Sequence, residues 1–444
     1  MGRIADRVSL MKLMALGLAF WSTMTALGGA ATSFLWLATA RIGVGIGEAT
    51  ANPCSHALLS EIFPPRRRAT ALAVYISGTF AGSALALILG GLIVQHWGDY
   101  CSAVPIAGAC SLAGWQAALF AVGLPGLPLA LLLLFIREPE RPHRESKGPV
   151  AIVATEVGAA LPPFTLLSVG RLGGLRELKR NLALVAVIAL VTAALIAVTG
   201  DLGQWIASSI GLYAVVTWGQ VQKLGDRPLY ALTFGCPTFL LTMLGAALLG
   251  CIGGAVSVWS APYAMRTYGL TPVQTGLSLG LIQAGASIAG VLIGGWLTDR
   301  LKRRDRGAPI WMAIASVVGE LPFLAGMLTA ADAVTFMATF VGFALFSSLW
   351  GGAFAALAQD LVLPRMRGAA ASAFSLFAIV VASGVGPYWA GKVSALTGSL
   401  TTGLFSMMLL VPVVLAVFAF ALPRVRRTTA ESRLALAAAA GEPG

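Results

Sequence analysis

Arg41, Glu48 and Asn52 are the residues of this chain best placed to do chemistry, because they sit inside one long apolar run. Seven residues separate Arg41 from Glu48, about two helical turns, so both fall on nearly the same helix face. Asn52 and His56 extend that face into one polar stripe. A carboxyl within an apolar helix is costly as an unpaired ion and marks a pathway or a partner. Glu48 therefore reads as a proton carrier beside a polar solute, with Arg41 as its modulating cation. The competing reading is a fixed charge pair that orients two helices. His56 reads as a hydrogen-bonded packing residue. Glu320, followed by Pro322 in another apolar run, is a second protonatable candidate. There Pro322 frees a backbone carbonyl that can favour a water-lined cavity. A carboxyl kept neutral by burial is the plainer reading.

Further charges lie where apolar runs end. Gly2-Arg3-Ile4-Ala5-Asp6-Arg7 recurs as Gly295-Trp296-Leu297-Thr298-Asp299-Arg300, an offset of 293 residues. Glu61 to Ala69 recurs as Asp360 to Gly368, an offset of 299, with Arg68 answering to Arg367. Asp6, Arg7, Asp299 and Arg300 fall at helix ends, where an aspartate can engage the positive end of a helix dipole. Cys101 and Cys110 share a short loop and are a candidate disulfide if that side faces an oxidising space. The other three cysteines lie in apolar runs and read as small hydrophobes. No metal-ligand spacing, phosphate-binding glycine loop or nucleophile elbow is present, so no cofactor and no enzymatic activity is expected.

The elements that must position these residues follow from composition. The chain has 444 residues, 57% hydrophobic and only 11% charged, with a mean hydropathy of +0.84. Soluble chains carry about 25% charged residues, which excludes a soluble enzyme, a nucleic-acid binder and a disordered protein. Twelve runs are long enough to cross a bilayer, near 10–30, 33–60, 69–96, 112–136, 181–199, 203–221, 236–260, 272–297, 308–330, 332–357, 369–396 and 400–422. They are continuous rather than alternating, so the fold class is all-α and polytopic. With the N-terminus inside, 27 of the 30 lysines and arginines fall on the inner side. Both termini are then cytoplasmic. The net charge of +12 is accounted for by this topology and not by a nucleic-acid partner.

The repeated markers define units of six helices, each with its marker after the second. On that pattern the first unit lacks its two leading helices, through a misassigned start or a real truncation. The hairpin formed by 181–199 and 203–221 is then additional and is expected to pack outside the two bundles. The expected organisation is an incomplete N-terminal bundle over 1–137, a loop with the inserted hairpin over 138–235, a C-terminal bundle over 236–425 and a tail over 426–444.

The G-x-x-A-D-R marker and its repeat resemble the signature of the major facilitator superfamily of transporters. Arg41-Ile42-Gly43-Val44-Gly45-Ile46-Gly47-Glu48-Ala49 and Phe63-Pro64-Pro65-Arg66-Arg67-Arg68 resemble the fourth-helix region of its spinster branch. Trp115, Gly123-Leu124-Pro125-Gly126, Arg137-Glu138-Pro139, Trp259-Ser260-Ala261-Pro262 and Gly384-Val385-Gly386-Pro387 are similar to further motifs of that branch. The resemblance implies a two-bundle fold with helices three to six, the inserted hairpin and helices seven to twelve. It implies proton-coupled alternating access for a lipid-like or amphiphilic organic solute in the cell (inner) membrane, by a monomer surrounded by membrane lipid. Export of a small organic solute, or a truncated membrane protein that does not transport, are the alternatives. It also implies that the markers latch the halves together, with Glu61 partnering Arg68 and Asp360 partnering Arg367.

Overall fold

The computed structural model describes residues 9–103, 109–136, 138 and 164–442. Every regular element among them is helical. The N-terminal half comprises α1 (Leu10–Gly29), α2 (Phe34–Glu48), α3 (Ala51–Ile62), α4 (Arg68–Ala103), α5 (Gly114–Gly123) and α6 (Gly126–Leu133). A hairpin follows, α7 (Phe164–Thr199) and α8 (Leu202–Gly225), then the short α9 (Arg227–Leu232). The C-terminal half comprises α10 (Pro237–Tyr268), α11 (Pro272–Leu301), α12 (Ala308–Leu328), α13 (Ala333–Ser348), α14 (Gly351–Asp360), α15 (Pro364–Thr397) and α16 (Leu400–Arg427). The chain ends in α17 (Ala430–Ala439).

Local sequence sets these boundaries. Ser9, Ser33, Thr271 and Asp332 accept backbone N–H bonds at the starts of α1, α2, α11 and α13, satisfying donors that no helix can satisfy internally. Gly269 and Gly398, at φ 67° and 69°, end α10 and α15 in the left-handed conformation that glycine adopts without strain.

Ten helices among the described residues are long and apolar enough to span a bilayer, two fewer than the sequence runs suggest. The run at 33–60 is broken between α2 and α3, where Pro53 cannot donate to the carbonyl of Ala49. The run at 203–221 forms α8 but carries too many polar residues to qualify.

The sequence repeat reappears as geometry. Adding 299 to the starts of α1, α2, α3 and α4 gives 309, 333, 350 and 367. In the C-terminal half, α12, α13 and α14 start at 308, 333 and 351, and the regular part of α15, after a tighter first turn at Pro364–Met366, starts at 367. The α2–α3 break thus has a counterpart between α13 and α14, where Gly351 and Gly352 weaken the helix.

The main core lies in the C-terminal half, built around Phe239, Phe336, Phe354 and Phe418. A smaller cluster of Ala69, Leu72, Ala355 and Ala356 joins the halves. Helix α11 is the principal seam. A side-chain carbon added at Gly276 would lie 2.6 Å from the carbonyl of Leu87 in α4, and one at Gly294 would lie 1.9 Å from the carbonyl of Leu349. Only glycine permits these backbone approaches. One face of α11 therefore packs on the opposite half and the other on its own.

Candidate functional site: a polar seam between the halves

At the arginine-rich end of the molecule, charged residues from both halves interlock. Asp299, at the end of α11, is 6% exposed. Its carboxylate accepts bonds from the backbone N–H groups of Ala69 (3.2 Å) and Thr70 (2.8 Å) and from the Thr70 hydroxyl (2.7 Å). All three donors sit in the first turn of α4, so a carboxylate of one half caps a helix of the other.

Arg68 stands beside it, 3% exposed. Its guanidinium pairs with Asp360 of the C-terminal half and donates to the carbonyl of Ser60 (3.0 Å). Lys302 also pairs with Asp360. Arg367 crosses in the opposite direction and donates to the same Ser60 carbonyl (2.8 Å). Arg68 thus pairs across the halves with Asp360, and Arg367 reaches Ser60 of the other half. A guanidinium enclosed between the halves requires a counter-charge beside it. Arg300 stays outside this network, stacked over Trp296 at 5.5 Å. Asp6 and Arg7 lie outside the described residues.

The polar stripe of α2 and α3 is divided. Ala40, Gly43 and Gly47 form the buried face of α2, which packs on α1. Arg41 and Glu48 are exposed on its other side. They make no ion pair with each other, because seven residues rise about 10 Å along a helix. Glu48 is the last residue of α2, at the break before α3. One turn on, Asn52 receives a bond from the Tyr75 hydroxyl (3.0 Å) and donates to Ser375 of α15 (3.3 Å), which ties α3 and α4 to the opposite half. His56 is 2% exposed and meets Tyr75 edge-on, with ring centres 5.6 Å apart.

Glu320 is not brought near Glu48. It is 1% exposed within the C-terminal bundle, and neither carboxyl oxygen has a hydrogen-bond partner among the described residues. Cys101 and Cys110 are joined in a disulfide with Cα atoms 5.5 Å apart. Among the described residues no group of three His, Cys, Asp or Glu is arranged to hold a metal ion.

The hairpin lies on the flank of the C-terminal half, and no residue in the most apolar stretch of α7 is buried. Its turn is fastened to α15. Asp201 pairs with Lys392 (2.6 Å) and accepts from the Tyr388 hydroxyl (2.8 Å), while Gln204 donates to the carbonyl of Gly384 (3.0 Å). Lys392 is thus engaged with protein rather than reaching for the membrane surface. Two further contacts carry no signal in the linear sequence. Glu138 accepts from Ser9 and from the N–H of Leu10 at the start of α1, and Arg365 bridges Asp226 and Glu442. These partners lie more than 70 residues apart.

The Major Facilitator Superfamily model matches residues 1–387. The chain belongs to the Major Facilitator Superfamily. Within that superfamily it is 28% identical over 395 residues to an MFS-type efflux pump of Mycolicibacterium smegmatis, covering 88% of this chain and 70% of the pump. It is 24% identical over 418 residues to protein spinster homolog 1 of Bos taurus, covering 88% of this chain and 62% of that protein. The chain thus spans less than two thirds of the length of that spinster relative. The fold is similar to the crystal structure of a bacterial homolog of the human lysosomal transporter Spinster in an inward-facing, unoccupied conformation. That match has a TM-score of 0.62 and 20% identity, covering 96% of this chain and 86% of that one. The protein is a spinster-like, multi-pass helical membrane protein of the superfamily.

Proposed function

We propose that the chain is a proton-coupled secondary transporter that moves a lipid-like or amphiphilic organic solute by alternating access. In this reading it sits in the cell (inner) membrane with both termini and the arginine-rich end in the cytoplasm. The observation that carries the reading is the seam itself: Asp299, Arg68 and Asp360 join the halves at one end, and Glu48 is exposed one turn from the inter-half Asn52–Ser375 bond. A latch built from charge pairs and a helix cap can open without unfolding either half, as alternating access requires. Glu48 at the helix break is the group that would carry the proton, with Arg41 tuning it. A lipid-like solute is what the sequence resemblance to the spinster branch implies.

The test uses the purified chain in liposomes and a fluorescent lysophospholipid. The wild type is expected to show proton-gradient-driven uptake. Glu48→Gln is expected to lose the gradient stimulation but keep exchange between equilibrated pools, because the amide mimics the protonated carboxyl. Unchanged coupling in the variant would move the proton to another residue, Glu320 first. Loss of exchange as well, in a folded variant, would make Glu48 a binding or structural residue.

Export of a small organic solute is the second reading, favoured by the match to the efflux pump across 88% of this chain. Gradient-driven transport of small cationic dyes but not of the lysophospholipid would select it.

A further inference from the structure

A cavity of about 570 Å³ opens at the arginine-rich end, between the latch, the loop that follows α11 and the C-terminal helix α17. Seven cationic side chains and two carboxylates line it. Both carboxylates are already engaged, Asp360 by Arg68 and Lys302 and Asp299 by the first turn of α4. Two other cations at this end have acids of their own: Arg365 has Asp226 and Glu442, and Arg426 has Asp305. In the cavity Arg66, Arg303, Arg306 and Arg433 have no ion-pair partner among the described residues.

The cavity also holds buried polar groups left without partners. Gln359, 1% exposed, lines it with both amide atoms unpaired, and the Nε atoms of Arg68 and Arg367 are likewise unpaired. Burial holds the Arg433 guanidinium below its ordinary range; Asp360 opposes this, and Arg68 and Arg306 add to it. Converging like charges in a partly enclosed space repel one another unless an anion enters. Planar guanidinium forks are matched in geometry to phosphate oxygens.

We propose that this cavity binds a phosphate-bearing anion, whose charge offsets Arg66, Arg303, Arg306 and Arg433 and thereby favours the closed latch. The site is independent of what the protein carries. The phosphate can arrive as a lipid headgroup or as a free anion, and the experiment separates the two. Thermal unfolding of the purified full chain in detergent is followed with inorganic phosphate, and separately with a short-chain phosphatidic acid below its micelle concentration. Potassium chloride at equal ionic strength is the reference.

The wild-type midpoint is expected to rise above the chloride reference. The Arg303→Gln/Arg433→Gln pair is expected to need at least about a hundredfold more ligand, in line with two lost charge-assisted contacts. Arg424→Gln, outside the cavity, should respond as wild type. A rise with phosphate identifies a soluble anion; a rise with phosphatidic acid alone identifies a headgroup. No rise with either, or an undiminished rise in the double variant, overturns the proposal. If the double variant does not fold, Arg303→Gln alone, altering an exposed side chain, serves as the test.

Discussion

Arg68 carries three duties at once, and its energetics follow from them. It begins α4, it crosses to Asp360, and it satisfies the carbonyl of Ser60. Its side chain is 4% exposed and that of Asp360 is 20% exposed, so solvent does little to screen the pair. Removing one member of a buried pair strands the other at a cost of about 3 kcal/mol. Arg68→Leu and Asp360→Leu should each destabilise the protein by about that much, and the double variant by less than their sum. Chemical unfolding of the four proteins gives the coupling directly, and simple additivity would show that no pair is formed in solution. At this scale the candidate residues were legible in the sequence because charge is rare in apolar runs. Their partners were not. Glu48 and Glu320 look alike in the sequence, yet one is exposed at a helix break and the other is enclosed in a bundle.

Elements are held by contacts at their ends as much as along their lengths. The α7–α8 hairpin leaves the apolar stretch of α7 uncovered, and its turn is clasped by Asp201, Lys392 and Tyr388. Hydrogen bonds from the Lys392 ammonium, and then from the Tyr388 hydroxyl, hold the Asp201 carboxyl below the usual aspartate range, with burial opposing. A carboxylate depressed in the folded state contributes stability above its unfolded value, about pH 4. That contribution is lost as pH falls through the folded value. Asp201→Asn should therefore lower the thermal midpoint at pH 7, and the gap to wild type should close as pH drops below about 4. A gap that does not change with pH would mean that the clasp is not ionic. Hydropathy marks two apolar runs here, but it overestimated how apolar α8 is and did not register the α2–α3 break. That break depends on one missing N–H at Pro53, which a window average does not detect.

The two halves meet along α11, and the tightness of that seam is a property of the whole molecule. At Gly276 a side chain would collide with the backbone of α4, whereas Gly253 in α10 faces open space. Gly276→Val should cost about 1–3 kcal/mol of stability through overpacking. Gly253→Ala should change it by no more than about 1 kcal/mol, in the stabilising direction. Thermal midpoints of the two variants decide the matter. Equal midpoints would show that the halves separate readily enough to accept a side chain at the seam.

Helical class and the internal repeat were determined by the sequence alone. Each is a local or periodic property: hydropathy sums over about 20 residues, and a repeat is self-similarity at a fixed offset. The 299-residue offset even anticipates where α13 and the paired helix at Arg367 begin. The crossing of the latch was decided only by the tertiary structure. Arg68 and Asp360 are 292 residues apart and Asp299 lies 229 from Thr70, and in a near-symmetric pair of units each charge has an equivalent acid in its own half and in the other. Choosing between them depends on which carboxylate is enclosed with the guanidinium once the halves dock, and burial of that kind exists only after the chain has folded.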